Sequence, residues 1–469
     1  MLQNFISQKI CEHLSFVPTN QQVELINELG KFITSAHGFK VFMLKGYAGT
    51  GKTAIVGALV RALKALHHKT EILAPTGRAA KVFSTYSGFT AYTIHKKIYR
   101  QKSLGDFRFG LAPNLYKNTL FIVDEVSMIT NAASETVFGS GRLLDDLIEF
   151  VFSGEGCSLL LLGDTAQLPP VGQEQSHALD AKIIESYGLE VSEFMLTQVV
   201  RQALGSGILL NATNIRQMIE CNDTKGIPKI VSENLLDVQM LTGEDLIESI
   251  QNSYNSAGRE ETMIITRSNR RANIYNNGIR ARVLFREEEI NNSDLLMITR
   301  NNYFWNKDYE DIDFLANGDI VEIRRVRKHR EMYGFRFADL TLHSLDYDWE
   351  IDARIWLDTL QSESPALTNK LTDNLFHLVE EDYTDIGNRR ERVKKIMGNE
   401  FFNALQIKFA YAVTCHKAQG GQWKHVYIDT GQLPAERVNA EFYRWLYTAV
   451  TRATEKVFFV NYPKLVVSG

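Results

Sequence analysis

Short runs of consecutive apolar residues recur through the N-terminal part of the chain, and turn residues follow each run. The runs are VFML (41–44), EIL (71–73), TLFIV (119–123) and SLLLL (158–162). Strands that are buried on both faces of a parallel sheet have this continuous apolar pattern. After the first run, apolar residues recur at helical spacing at Ile55, Leu59, Leu63 and Leu66. The pattern therefore predicts strand, turn and helix units around a parallel sheet.

A second set of apolar runs lies in the C-terminal half, and it predicts a second α/β sheet. These runs are TMIIT (262–266), HVYID (425–429) and VFFV (457–460). Within this half, from about residue 286 to 403, apolar and polar residues alternate between Gly and Asn turns, as in GFRFADLTLH. Such alternation predicts a small antiparallel barrel inserted in the second sheet domain. A shorter segment, QKSLGDFRFGLAPNLYKN (101–118), has the character of a hairpin.

Length and composition indicate an ordered globular protein with two main domains. A single hydrophobic core stops growing near ~250 to 300 residues, and the chain has 469. With 44% hydrophobic and 23% charged residues, it can bury a sizeable core. The net charge of −4 gives no overall attraction for nucleic acid. A polyanion would therefore have to be held by a local basic groove.

The cysteines argue against a disulfide scaffold and against a zinc site. Cys11, Cys157, Cys221 and Cys415 are widely scattered and form no CxxC or Cys/His spacing. This usage fits a reducing cytoplasm. The N-terminus has no basic region followed by an apolar run, and no stretch of 18 uncharged apolar residues occurs. We therefore expect a cytoplasmic protein without a membrane span.

A complete phosphate-binding motif lies between the first predicted strand and the helix that follows it. GYAGTGKT (46–53) matches GxxxxGK[ST]. Backbone N–H groups of such a loop approach the phosphates, its lysine reaches the β and γ oxygens, and its hydroxyl ligates Mg²⁺. We therefore expect ATP and Mg²⁺ as cofactors. The predicted nucleotide ligands are Gly46, Ala48, Gly49, Thr50, Gly51, Lys52 and Thr53.

An acidic pair follows the strand TLFIV directly, as hydrolysis of a bound nucleotide would require. Asp124 is expected to hold the metal ion, and Glu125 to orient and deprotonate the attacking water. Phosphoryl transfer also needs positive charge near the γ-phosphate. Arg201 in LTQVVRQ and Arg452 in LYTAVTRA are the candidates. An arginine supplied by the other sheet domain would make closure of the cleft a condition for catalysis.

Several short motifs, in their order along the chain, resemble those of superfamily 1 helicases. The motifs are GYAGTGKT, LAPTGRAA, DEVSM, GDTAQLPPVG, LTQVVRQ, TCHKAQGGQW and LYTAVTRA. The resemblance is to the RecD-like and Dda-like branch, superfamily 1B, and it covers nearly the whole chain. It implies an α/β fold with two RecA-like parallel-sheet domains of the P-loop NTPase type, a short hairpin insertion and an SH3-like β-barrel insertion.

The resemblance also implies domain limits. The first RecA-like domain (1A) would comprise 1–84 and 119–200, with the pin hairpin domain (1B) at 85–118. The second RecA-like domain (2A) would comprise 201–285 and 404–469, with the SH3-like domain (2B) at 286–403.

Site residues follow from the same resemblance, motif by motif. It implies that Gln22 reads the adenine edge, that Gln167 contacts the γ-phosphate, and that Arg201 and Arg452 are two arginine fingers. It implies nucleic-acid contacts from Pro75, Thr76, Gly77, Arg78, Thr93, His95, Thr414, His416 and Lys417. Two positions depart from the family pattern: Val200 replaces a common aromatic that stacks on adenine, and Gln422 replaces a common glutamate. We therefore expect loose selection of the nucleobase.

Aromatic and basic residues of the two insertions are further candidates for nucleic-acid contacts. Phe107 and Phe109 in the pin, and Tyr303 or Trp305 in the barrel, are suited to stack on bases or to act as a wedge, although an aromatic residue on a strand usually belongs to the core. The basic run IRRVRKHR (323–330) is either a solvated strand edge or a guide for a DNA strand.

The function implied is an ATP-dependent DNA helicase that moves 5′ to 3′ on single-stranded DNA and unwinds duplexes, in repair, recombination or replication. Its partners would be single-stranded DNA and junctions of single-stranded and duplex DNA, with replication or repair proteins as further partners, and it would act as a monomer. The polarity comes from the resemblance alone. Two alternatives stay open: an RNA or 3′ to 5′ helicase on the same scaffold, and a nucleotide-dependent switch or loading factor that does not unwind.

Overall fold

The computed structural model describes residues 2–35, 38–101, 109–131, 138–200, 205–306, 309, 315–347, 349–364 and 369–463. Its strands and helices form two parallel α/β sheets, a closed barrel and a short hairpin. Two of the predicted site residues, Phe107 and Arg201, lie outside these ranges.

The first lobe is built on a six-stranded sheet in the order β3-β2-β6-β7-β1-β8, and every neighbouring pair is parallel. Its strands are β1 Lys40–Gly46, β2 Thr70–Ala74, β3 Tyr92–Thr93, β6 Leu120–Val123, β7 Ser158–Gly163 and β8 Glu190–Leu196. Its helices are α1 Leu2–Glu12, α2 Asn20–Thr34, α3 Lys52–Ala65, α4 Gly77–Ser87, α5 Ile94–Ile98, α6 Leu143–Ser153 and α7 Ala181–Glu185. The four apolar runs at the N-terminal end form β1, β2, β6 and β7, as predicted.

Helices cover both faces of this sheet, which explains why its strands are apolar throughout. The apolar residues after Lys52 lie on α3 and pack in one core cluster with Phe42 of β1. A second cluster on the opposite face contains Val41 of β1 and Leu147 of α6. Successive side chains of β1 thus point into different cores.

The predicted hairpin follows helix α5 of the first lobe. Strands β4 Tyr99–Gln101 and β5 Phe109–Leu111 pair antiparallel, with Gln101 opposite Phe109. Residues 102–108, which connect them, lie outside the described ranges.

The second lobe contains a five-stranded parallel sheet in the order β16-β10-β17-β18-β9. Its strands are β9 Val238–Leu241, β10 Thr262–Thr266, β16 Ala412–Thr414, β17 Trp423–Asp429 and β18 Ala453–Val460. Its helices are α8 Gly207–Glu220, α9 Leu246–Ser256, α10 Asn269–Arg282, α13 Cys415–Ala418 and α14 Ala440–Val450. The three C-terminal runs form β10, β17 and β18, so the second sheet is also confirmed.

The barrel is closed and has five strands in the order β11-β12-β13-β14-β15. They are β11 Leu295–Ile298, β12 Ile320–Met332, β13 Phe335–Ser344, β14 Glu350–Trp356 and β15 Leu405–Phe409. Helices α11 Asn369–Glu381 and α12 Arg389–Met397 connect β14 to β15. The alternating pattern therefore predicted a barrel correctly.

The barrel differs from the sequence-based picture in three details. Its last strand, β15, begins just beyond the predicted limit at residue 403. This strand pairs parallel with β14, whereas the pattern predicted an antiparallel barrel. The helices α11 and α12 were not predicted. Leu375, Val379 and Ile396 of these helices pack on Phe337 and Trp356 of the barrel, so tertiary burial accounts for their apolar residues.

Among the described residues, no helix is long and apolar enough to cross a membrane.

Candidate functional site

The phosphate loop connects β1 to α3 at the carboxyl edge of the first sheet. Lys52 Nζ donates to the carbonyl oxygens of Gly46 at 2.6 Å and of Tyr47 at 2.9 Å, so the ammonium lies inside the loop. Gly51 has φ +87°, and a Cβ at this position would lie 2.7 Å from Gln22 Nε2. A side chain is therefore excluded by both the backbone conformation and the close approach. Loops of this type present backbone N–H groups to the phosphates of a nucleotide.

The acidic pair lies beside the loop because β6 and β1 end at the same edge of the sheet. Asp124 is 9% exposed. Its burial, together with the charge of Glu125, raises its pKa to about 7, although a backbone hydrogen bond and the charges of Lys52 and Arg452 lower it. Asp124 Oδ1 accepts from Glu125 N at 2.8 Å. Glu125 adopts φ +51° and ψ +37°, a left-handed conformation that costs a non-glycine residue roughly 1 to 2 kcal/mol. Strain of this kind concentrates at functional sites.

Both lobes line the cavity that contains these groups. The cavity has a volume of about 490 Å³. From the first lobe it is lined by Lys52, Thr53, Asp124, Glu125 and Gln167, and from the second by Leu209, Gln422, Thr451 and Arg452. The structure thus brings together the predicted phosphate, metal and water-activating residues, and it adds the predicted arginine from the other lobe.

Arg452 reaches Glu125 across the cleft. Its Nη1 lies 3.7 Å from Glu125 Oε1, and its side chain is only 4% exposed. The guanidinium also donates to the carbonyl oxygens of Thr448 at 3.1 Å and Gly421 at 3.2 Å. These bonds hold the guanidinium at the cleft.

Helix α14 carries a set of contacts to the first lobe that the sequence analysis missed. Tyr447 OH donates to Asp164 Oδ2 at 2.6 Å and accepts from Ala48 N of the phosphate loop at 2.8 Å. Leu168 N donates to Thr448 Oγ1 at 2.9 Å. Arg444 Nη1 donates to the carbonyl oxygen of Thr165.

These side chains share one face of α14 because positions three and four residues apart are neighbours on a helix. A signal was present in the sequence: Tyr447 and Thr448 belong to the same motif as Arg452, LYTAVTRA. Arg216 of α8 adds a further contact, with its Cζ 4.3 Å from the centroid of the Tyr47 ring.

Two predicted nucleotide residues have contacts that the sequence did not reveal. Gln22 is fully buried: its Oε1 accepts from Thr19 N at 2.9 Å, and its Nε2 donates to Thr50 O at 2.8 Å. Its amide therefore braces the phosphate loop, and one N–H and one oxygen lone pair are left for a further contact. Gln167 is 6% exposed, and its Oε1 accepts no hydrogen bond within the described part of the chain.

Thr53 and Asp124 are the residues suited to hold a metal ion. The described residues contain no cluster of three or more His, Cys, Asp or Glu side chains that could bind a metal unaided. A magnesium ion fits such a sparse set, since it is usually bound by one or two protein oxygens together with waters and nucleotide phosphates. Burial is the main cause of the raised pKa of Asp124, and a bound cation would oppose it by favouring the ionised carboxylate.

Three threonines that follow parallel strands begin helices on the proposed nucleic-acid side. Thr76 follows β2 and accepts from Ala79 N at 3.2 Å, while Thr93 ends β3 and accepts from Lys96 N at 3.2 Å. Thr414 ends β16 at the edge of the second sheet and precedes α13 without a side-chain cap bond. Helix N-termini and hydroxyl groups bind phosphates without reading sequence. Pro75 and Thr76 are partly exposed, whereas Gly77 is buried.

Arg78 and His95 have packing contacts in place of the exposed positions expected of DNA ligands. Arg78 stacks on Trp423 with its Cζ 4.3 Å from the ring centroid, and it donates to Gln422 O at 3.1 Å, so it joins the two lobes. His95 packs against Tyr99 and Phe138 at centroid distances of 5.6 and 5.0 Å. Burial lowers the pKa of His95 to about 4, so the ring is neutral at physiological pH and supplies no charge to a phosphate.

Lys417 and His416 lie on the same side of the second lobe as Thr414. Lys417 Nζ donates to Asn317 Oδ1, and burial followed by the charge of Lys408 lowers its pKa to about 8. His416 lines a cavity of about 260 Å³ together with Thr414 and two arginines that the sequence analysis did not single out, Arg267 and Arg437. Arg267 directly follows β10, just as Asp124 follows β6, and this position was the available signal.

Phe109 does not present an exposed stacking platform. Its ring lies 4.3 Å from Tyr303 and 5.1 Å from Phe138, measured between centroids. Trp305 Nε1 donates to Asn403 O at 2.9 Å, so this ring too is engaged within the barrel region.

Comparison with known proteins shows similarity over both lobes. Residues 19–217 match the family model described as an AAA domain, and residues 409–460 match that of a UvrD-like helicase C-terminal domain. The chain is 24% identical to the uncharacterized protein R530 of Acanthamoeba polyphaga mimivirus, over 94% of this chain and 99% of the relative.

Two characterised relatives are also similar. The ATP-dependent DNA helicase dda of Enterobacteria phage T4 is 24% identical, over 89% of this chain and 93% of the relative. The ATP-dependent RecD2 DNA helicase of Deinococcus radiodurans is 32% identical, over 41% of this chain and 24% of that longer protein.

Proposed function

Because the chain belongs to the superfamily 1B helicases, we propose that it is an ATP-dependent DNA helicase that moves 5′ to 3′ along single-stranded DNA and unwinds duplexes ahead of it. The energy comes from ATP hydrolysis in the cavity between the lobes. The strand lies across the threonine-capped helices of both lobes.

The observation that carries this proposal is the contact of Arg452 with Glu125 across the cleft, 3.7 Å between Nη1 and Oε1. The proposed water-activating carboxylate belongs to the first lobe, and the proposed arginine finger belongs to the second. An arginine finger contributes roughly 10³ to 10⁵ fold to phosphoryl transfer. Hydrolysis therefore depends on closure, and closure moves the strand-binding residues of one lobe relative to the other.

Within the site, Lys52 holds the phosphates, Glu125 accepts the proton of the attacking water, and Arg452 stabilises the charge that develops on the γ-phosphate. Thr53 and Asp124 would hold Mg²⁺, which neutralises phosphate charge when bound. Gln167, whose buried Oε1 accepts no hydrogen bond from the described residues, contacts the γ-phosphate and reports its presence to the strand-binding groove. Arg201 remains a proposed second finger.

The partners proposed are single-stranded DNA and its junctions with duplex DNA, bound by a monomer. Contacts to phosphates by hydroxyl and backbone groups are independent of sequence, so the enzyme acts on any strand. A role with replication or repair proteins agrees with this activity. A cytoplasmic location agrees with the four cysteines, which are free thiols in the structure.

The test is unwinding of forked duplexes that carry either a 5′ or a 3′ single-stranded tail, in DNA and in RNA. We expect unwinding only of DNA with a 5′ tail, together with ATP hydrolysis that rises when single-stranded DNA is added. Unwinding from a 3′ tail or of RNA would reassign the polarity or the substrate. ATP-dependent DNA binding without strand displacement would indicate a switch or loading factor.

The matched control is Lys52→Ala, which removes the charge that contacts the phosphates but leaves the strand-binding residues in place. This variant should bind single-stranded DNA normally and neither hydrolyse ATP nor unwind. ATP turnover at the same rate with and without DNA in the unmodified protein would refute coupling between the two sites.

A further inference from the structure

We propose that the outer face of β12 in the barrel binds the phosphate backbone of the duplex at a junction with single-stranded DNA. We call this face the basic ribbon; it consists of Arg324, Arg325, Arg327, Lys328 and Arg330. The inference rests on the proposed function, because it assumes that a DNA strand lies between the lobes. It assigns a second nucleic-acid contact, separate from the strand-binding residues at the helix starts of the two lobes.

A first β-bulge turns two successive arginines to the outside. Ile323 pairs with Leu342, but Arg325 pairs with Thr341, so Arg324 is an extra residue in the ladder. Strict alternation from the buried Ile323 would point Arg325 into the barrel. The bulge changes that alternation and leaves both arginines exposed.

A second bulge repeats the arrangement three residues further along. Val326 pairs with Leu340 and Lys328 pairs with Asp339, so Arg327 is the extra residue. Strict alternation from Val326 would point the Lys328 side chain into the barrel. Because of the bulge, Lys328 is exposed, as Arg327 is. Bulges re-aim side chains, and two in one strand place five cations on one face within about 20 Å.

The acidic neighbours neutralise only part of this charge. Arg324 pairs with Glu322, Arg327 with Asp352 and Arg330 with Asp339, at 2.7, 2.7 and 2.6 Å. Arg325 and Lys328 have no carboxylate within ion-pairing distance in the part of the chain that the structure describes. The Arg327–Asp352 pair is about half exposed on both sides and contributes little, roughly 0 to 1 kcal/mol, so a phosphate can replace Asp352. The ribbon is thus an exposed positive surface on a protein with net charge −4.

The strand that carries the ribbon, β12, begins beside the proposed strand-binding groove. The turn before β12 contains Asn317, which accepts from Lys417 Nζ, and Asp319, whose Oδ1 lies 2.8 Å from the position of a Cβ on Gly77. From this turn β12 runs 13 residues, or about 40 Å at ~3.3 Å per residue. A nucleic acid that leaves the groove on this side therefore meets the ribbon.

The barrel also contacts the hairpin that is expected to separate the strands. Tyr303, in the segment between β11 and β12, has its ring centroid 4.3 Å from that of Phe109 in β5. The duplex arm of a junction at this hairpin lies next to the barrel. Duplex DNA also carries one negative charge per about 1.7 Å, twice the density of one strand. For these reasons we assign the ribbon to the duplex and not to the single strand.

The test compares binding to a single-stranded oligonucleotide with binding to the same oligonucleotide ending in a duplex hairpin, by fluorescence anisotropy at several salt concentrations. The variant is R325E/K328E, which reverses the two exposed cations without ion pairs. The control is K225E/K229E, which makes the same charge change in the exposed loop between α8 and β9. R325Q/K328Q, which removes the charges only, guards against misfolding of the reversed variant.

We expect R325E/K328E to weaken binding to the tailed duplex at least about tenfold and to reduce its salt slope by about 2, since each phosphate contact contributes about 0.9 to that slope. R325Q/K328Q should show a smaller change of the same kind. Single-strand binding by both variants, and all binding by the control, should stay within about twofold of the unmodified protein.

Unchanged binding of the tailed duplex would overturn the inference, as would an equal loss on the single strand. These failures are distinct from failure of the proposed function, which would appear in the unmodified protein as an absence of DNA-stimulated ATP hydrolysis.

Discussion

Removal of one hydroxyl group at the interface of the lobes tests whether closure controls hydrolysis. Tyr447 OH donates to Asp164 Oδ2 at 2.6 Å and accepts from Ala48 N at 2.8 Å. Tyr447→Phe leaves both partners without this bond in a buried place, because Asp164 is 2% exposed. Loss of a hydrogen bond to a charged group costs about 1.5 to 3 kcal/mol. The cost applies to the closed arrangement, in which the lobes are in contact.

A penalty of about 2 kcal/mol corresponds to roughly a 30-fold smaller population of the closed state. We therefore expect Tyr447→Phe to lower DNA-stimulated ATP turnover about 30-fold in a steady-state assay. Nucleotide affinity measured without DNA should change less than about threefold, since Lys52 and its bonds to the loop carbonyl groups do not involve Tyr447. A parallel thermal unfolding measurement checks that the variant is folded.

The matched control is Tyr443→Phe, on the same helix. Its hydroxyl donates at 2.8 Å to the carbonyl oxygen of Gly226, within the second lobe. This variant loses a hydrogen bond of similar length but no contact between lobes, so turnover should remain within about twofold. Normal turnover in Tyr447→Phe, or an equal loss in Tyr443→Phe, would refute the argument.

Three further predictions follow from the site. Arg452→Ala should lower ATP turnover by roughly 10³ to 10⁵ fold while DNA binding stays normal. Arg452→Lys should restore little of this turnover, because a lysine cannot make the forked contacts of a guanidinium. Near-normal hydrolysis by Arg452→Ala would exclude Arg452 as an arginine finger. GTP should support hydrolysis within about tenfold of ATP, because Val200 offers no ring to stack on adenine, and the Gln22 amide already bonds two backbone groups. Strict ATP dependence in a coupled assay would contradict this. His95 should make the protein sensitive to acid. The pKa of its ring is about 4 in the folded protein and near 6.5 in the unfolded chain. As the pH falls, the unfolded chain therefore binds a proton first, and the free energy of unfolding decreases below pH 6.5. Between pH 7.5 and 5.5 this loss is about 1.4 kcal/mol, and denaturant titrations of His95→Gln should show a correspondingly flatter dependence; an unaltered dependence would place the His95 ring in solvent.

Local patterns in the sequence were enough to predict the two sheets, the barrel and the position of the glycine-rich loop and the acidic pair at the strand ends. The apolar run TLFIV followed by Asp124 and Glu125 predicted both a buried strand and its carboxylates. The lysine and glycines of GYAGTGKT predicted the phosphate loop in the same way. These predictions succeed because a strand, a turn and a helix start depend on neighbouring residues. Parallel strands then bring their carboxyl ends to one edge.

Contacts between distant positions followed no local rule. Arg78 belongs to a motif that suggested DNA binding, but its guanidinium stacks on Trp423 and bonds to Gln422, 344 positions away. His95 lies next to Lys96 and Lys97 in the sequence, but its ring is packed against Tyr99 and Phe138, and burial lowers its pKa. Such roles depend on which surfaces meet when the lobes pack.

The sequence by itself therefore determined which residue types stand at the ends of which strands, since periodicity and turn chemistry are properties of adjacent residues. Tertiary structure alone decided that Tyr447 meets Asp164 across 283 positions, and that two bulges turn Arg325 and Lys328 outward. The physical reason is that burial and pairing are set by the partner surface. No pattern within a single segment of the chain specifies that partner.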